Sequence, residues 1–166
     1  MPCRQRMGYI TFKIKVMTNE EKQLLIKDLC ARLPYGVKIL NKTFRDAIIT
    51  TLSGFDGFKF IMKETYQTSS GNEFDHSIFH KSIYGYLDSI TPYLRPMSSM
   101  TEEEYDCFIK ILGRSMVCRK CYDWHEQWIQ SPSVEEYLNA HHFDYRNLIE
   151  KGLALEAPEG MYNIKD

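Results

Sequence analysis

The sequence predicts an α+β domain: an N-terminal helix, then a small and mainly antiparallel sheet, then a C-terminal half made of helices. Three observations predict it. A capped amphipathic stretch occupies residues 18–33, and alternating or β-branched runs broken by turn residues fill Val37 to about Thr91. Fresh helix starts then follow at Thr101 and Ser131. Strands in one block and helices in another exclude the regular alternation of a parallel α/β fold.

The leader comes first. Ile10, Phe12, Ile14 and Val16 alternate with Thr11, Lys13 and Lys15, a period-two strand pattern. Met17-Thr18-Asn19-Glu20-Glu21 reads as a start of its own, a Met followed by a helix cap. Residues 1–16 are thus an edge strand or an upstream extension, and we favour the extension, leaving 17–166 as one α+β domain.

Thr18 and Glu21 have capping-box spacing, and Leu25, Ile26, Leu29, Cys30 and Leu33 share one helical face. Pro34 and Gly36 end that helix at Leu33. Val37–Leu40 reads as a short strand, and Phe44–Leu52 as a second. Ser53–Gly57 supplies the turn through Asp56-Gly57, and Phe58–Lys63 returns as the other arm of a hairpin. Thr68–Asp75 has the composition of a loop, and Ser82–Leu87 that of a further strand. Pro92 and Pro96 bracket Tyr93-Leu94-Arg95, which suits a sheet edge or a connector rather than a central strand.

In the second half, Thr101 and Glu104 repeat the capping box ahead of a Tyr105, Phe108, Ile109, Leu112 stripe that ends at Gly113. Val117, Cys121, Trp124 and Trp128 form another stripe. Ser131-Pro132 opens a helix that turns Val134, Tyr137, Leu138 and His141 inward. Asp144 caps a short last helix closed by Gly152.

Composition bounds the function. The 166 residues carry a net charge of −1, with 43% hydrophobic and 26% charged residues and 11 Tyr. That describes a packed core with no long-range field for nucleic acid or an anionic membrane. No apolar run approaches the roughly 18–20 residues that span a bilayer. Arg4, Arg6, Lys13 and Lys15 interrupt any secretory signal, so the five cysteines read as reduced thiols in a cytoplasm.

Two clusters invite chemistry. Cys118, Cys121 and His125 share a helical face, and His141 is a fourth potential zinc ligand. Structural zinc sites, however, take a CxxC pair from a tight turn, and Cys121 belongs to the buried stripe. The expectation is no metal and no cofactor. The run His141-His142-Phe143-Asp144-Tyr145-Arg146 invites an active-site reading through His141, His142, Asp144 and Arg146. The plainer reading gives Asp144 a capping role, His141 a core-facing position and Arg146 a solvated face. For nucleic acid, Tyr84, Tyr86 and Tyr93 beside Lys81 and Arg95 offer a stacking surface, against which the balanced charge weighs. For a protein partner, Tyr93, Arg95 and Met97 in the Tyr93–Met100 segment are the candidate contacts.

Four stretches also carry a resemblance: Met17 to Lys22, Asp28 to Lys38 (Asp-Leu-Cys-Ala-Arg-Leu-Pro-Tyr-Gly-Val-Lys), Tyr93 to Glu104 (Tyr-Leu-Arg-Pro-Met-Ser-Ser-Met-Thr-Glu-Glu-Glu) and His142 to Ala154. As strings they resemble short proteins of Bacteroides-group gut bacteria and of their phages and mobile elements. Asn41–Ser89 and the CxxC region diverge from that group, and residues 1–16 fall outside it. The resemblance implies a cytoplasmic accessory protein of phage origin and carries over no site residue. The functional expectation is therefore a non-enzymatic binding protein that engages a host protein, of counter-defence type. A small nucleic-acid-binding or regulatory module and an enzyme are the alternatives.

Overall fold

The structure, a computed structural model, describes residues 16–42, 48–55, 57, 60–63, 66–67, 73–74, 83–85, 87–113 and 131–162. Helix α1 (Asn19–Arg32) opens with the expected box: the Thr18 hydroxyl accepts from Glu21 N, and the Glu21 carboxylate accepts from Thr18 N. A 3-10 turn over Leu33–Tyr35 and the left-handed Gly36 then direct the chain into β1 (Lys38–Asn41). Strands β2 (Ile48–Phe55) and β3 (Phe60–Lys63) make the predicted hairpin. Ser53, Gly54 and Phe55 are strand rather than turn, because a bulge between Leu52 and Gly54 absorbs the irregularity. Within the predicted loop, β5 (Glu73–Phe74) pairs with β4 (Tyr66–Gln67). The strand predicted at Ser82–Leu87 is β6 (Ile83–Gly85), followed by a 3-10 turn at Leu87–Ser89.

Strand β7 (Ile90–Leu94) corrects the expectation of an edge. The main sheet runs β6-β3-β2-β1-β7-β8, with β8 at Leu155–Glu156, so β7 has a neighbour on both flanks. All its pairs are antiparallel except β7–β8. Pro92 is tolerated for a reason of register. Lys42 N donates to Ser89 O at 2.7 Å, and antiparallel ladder bonds recur at every second residue. Pro92, opposite Ile39, therefore turns its missing N–H away from β1, and β8 begins pairing only at Tyr93.

Helix α2 (Glu102–Leu112) has the Thr101–Glu104 capping box and ends on left-handed Gly113. Helix α3 (Pro132–Ala140) starts at Pro132 as expected, but the Ser131 hydroxyl makes no cap bond; its carbonyl instead accepts from Val134 N and Glu135 N. After α3 the chain runs as turns to β8, and Gly152 has φ +70°.

Two apolar clusters result. Leu25 and Leu29 of α1 pack on Ile39, Leu52, Phe60 and Met62 of the sheet, together with Leu148 and Leu153. Phe108, Val134 and Leu138 of α2 and α3 pack with Met97, Met100, Phe143 and Tyr145. No described helix is long and apolar enough to cross a membrane.

Candidate functional site

Where the two clusters meet, the fold buries charge. Asp28 and Arg32 stand one helical turn apart on the face of α1 that also buries Leu25 and Leu29. Both are fully inaccessible. Arg32 Nε donates to Asp28 Oδ2 at 2.8 Å and Nη2 to Oδ1 at 3.0 Å, while Nη2 also reaches Phe143 O at 2.8 Å. From the other side Arg146, 4% exposed, donates to Asp28 Oδ1 at 2.7 Å and to Glu135. The Tyr145 ring lies between the two guanidiniums, with Arg146 Cζ 4.3 Å and Arg32 Cζ 5.5 Å from its centroid. Its hydroxyl lies 3.0 Å from Asn139 Oδ1 and 3.1 Å from Glu135 Oε1. Burial pushes that phenol's pKa up. Two guanidiniums against two carboxylates close the charge, which a buried ionic group requires.

Segment 142–144 fastens this seam to the sheet. Arg95 N donates to His142 O and Asp144 N to Arg95 O, at 2.8 and 2.7 Å. Asp144 accepts from Leu148 N and Ile149 N, both at 2.8 Å, so it caps the turn that follows, as expected. Burial nonetheless leaves its carboxyl above the ordinary pKa. His142, left-handed at φ 58° and 4% exposed, stacks on Tyr162 with centroids 3.8 Å apart. Burial first, then the charge of Arg32, lowers its pKa from 6.5 to about 3, so the ring is neutral. Tyr162 in turn replaces a ladder bond: its hydroxyl accepts from Lys38 N and donates to Tyr93 O, each at 2.8 Å.

The chain from β8 to Tyr162 forms a strap. Ala157 N donates to Leu94 O at 2.8 Å, and the chain turns at Pro158–Met161. Between strap and body runs a groove of about 520 Å³, walled by Arg95, Pro96, Ser99 and Glu104 on one side and Glu156 and Glu159 on the other. Arg95 is locked in place. It makes a two-pronged bond to Glu104 at 2.7 and 2.8 Å and lies 4.3 Å over the Phe143 ring. Burial pushes Glu104 up, but the bonds from Arg95 and Thr101 N outweigh it and hold the carboxyl below its ordinary pKa.

The structure gathers the His141–Arg146 run but turns its side chains in different directions. His141 is half-buried, with Nδ1 2.9 Å from Tyr137 O and its ring 4.1 Å from that of Tyr137. Arg146 is not on a solvated face: Asp28 and Glu135 draw it inside. Of the expected partner segment, Met97 is 8% exposed and belongs to the second cluster. Tyr93 is half-buried on β7, and Arg95 reaches the groove. Cys118, Cys121 and His125 lie outside the described residues, as do Tyr86 and Lys81 and the side chain of Tyr84. Among the described residues no three His, Cys, Asp or Glu stand close enough to hold a metal.

Sequence reasoning missed Asp28, Arg32, Glu135, Glu156, Glu159 and Tyr162. The first two carried a legible signal: an acid and a base at i, i+4, in phase with Leu25 and Leu29. Comparison with models of protein families, with curated proteins and with solved structures finds no match.

Proposed function

We propose that the chain is a non-enzymatic binding protein that engages another protein at the groove between Arg95–Glu104 and the strap. One observation carries this reading. The ionisable side chains of the His141–Arg146 run serve as internal partners of the fold, whereas the groove presents Glu156 and Glu159, both exposed, on a concave surface. A concave site with fixed polar groups is the usual form of a recognition surface. The two carboxylates repel phosphate, which weighs against nucleic acid at this surface. The resemblance to proteins of Bacteroides-group bacteria and their phages supports an accessory, counter-defence role on a host protein in the cytoplasm.

A photo-crosslinking residue at position 159 tests the reading, with one at Glu20, on the exposed start of α1, as control. In a Bacteroides-type lysate we expect a discrete crosslinked product from position 159 alone. No product, or the same products from both positions, refutes the proposal.

A further inference from the structure

We infer that the partner segment seated in this groove is basic: an extended peptide that places a lysine or arginine side chain beside Glu156 and Glu159. The inference rests on the protein-binding reading and adds the chemistry of the partner. Arg95 is the sole cation among the described lining residues, and Glu104 already neutralises it through two short bonds. Glu156 and Glu159 have no ionic partner among the described residues. Three carboxylates against one guanidinium leave the groove two negative charges in excess.

The walls match the rest of such a side chain. Pro96, Pro158 and Tyr162 supply apolar surface, along which the methylene stem of lysine or arginine lies while its charged head stays with the carboxylates. A volume of about 520 Å³ falls within the roughly 300–1,000 Å³ of binding clefts, so the groove takes a long side chain together with adjoining backbone. An acidic segment would meet like charge on the strap, and Arg95 has no charge free to answer it.

The test is a titration of the isotope-labelled full chain with three peptides at low salt: acetyl-pentalysine amide, pentaglutamate and pentathreonine. We expect saturable amide shifts over residues 95–104 and 156–162 with pentalysine alone. The double variant Glu156→Gln/Glu159→Gln should weaken that binding about fivefold to tenfold, and added salt should weaken it further. Glu136→Gln, on the exposed face of α3, should leave it unchanged. Absence of saturation, shifts spread beyond the groove, or an equal loss with Glu136→Gln overturns the inference. If pentathreonine or pentaglutamate occupies the groove instead, the basic partner is refuted and the protein-binding reading stands. If no peptide binds, the position-159 crosslink separates the two: its persistence sinks the basic partner alone, its absence sinks both.

Discussion

Replacing Asp28 by alanine should strike the seam between the two apolar clusters. The carboxylate accepts three bonds, two from Arg32 and one from Arg146, and is fully inaccessible. Without it Arg32 keeps only Phe143 O, and its Nη1 already lacks a partner. Arg146 keeps only Glu135. Breaking a buried ion pair from one side costs about 3–5 kcal/mol, because a charge remains uncompensated. That is a large part of a total stability of about 5–15 kcal/mol. With a urea dependence of about 2 kcal/mol per molar, the midpoint followed by far-UV circular dichroism should fall by about 2 M. Glu135→Gln is the internal comparison. The Glu135 side chain keeps 40% exposure, so its loss should cost about 1 kcal/mol or less. The triple change Asp28→Leu, Arg32→Met, Arg146→Met removes the desolvation cost with the pairing, so it should lie within about 2 kcal/mol of the parent. An Asp28→Ala cost no greater than that of Glu135→Gln would refute the seam argument.

Three further outcomes follow from the same geometry. His142 has a folded pKa of about 3 against an ordinary 6.5, so below pH 6.5 the unfolded chain takes up a proton that the folded chain refuses. Stability should hold above that pH and fall by about 1.4 kcal/mol per pH unit below it. His142→Phe should flatten the slope between pH 6.5 and 5 (the cited range ending above the usual carboxylate titration), as read from urea midpoints across pH. Tyr162→Phe strips the hydroxyl bridging Lys38 N and Tyr93 O; a loss of about 1–3 kcal/mol is expected, with faster hydrogen exchange at the Lys38 amide. Gly113→Ala meets no atom within 4 Å but must adopt φ +69°, so it should cost about 1 kcal/mol through backbone strain alone, measured by thermal unfolding.

What the sequence determined by itself is local. The Thr18 and Thr101 boxes, the Gly36 and Gly113 stops, the β2–β3 hairpin and the α+β order each depend on residues within a few positions of one another. Short-range sterics and hydrogen bonding suffice for them. The tertiary structure alone decided the rest. Pro92 sits inside the sheet because its register turns the absent N–H from β1, a relation to residues some fifty positions away that no local rule contains. Asp28 and Arg146 are 118 residues apart in sequence. Their hydrophilic side chains read as solvated until the fold brings opposite charges together and excludes water from both. The same holds for Tyr162, whose hydroxyl completes a ladder between Lys38 and Tyr93, and for the groove, which exists only once the strap has crossed Arg95. Burial of a polar group is decided by the partner that satisfies it, and that partner is a property of the packed chain.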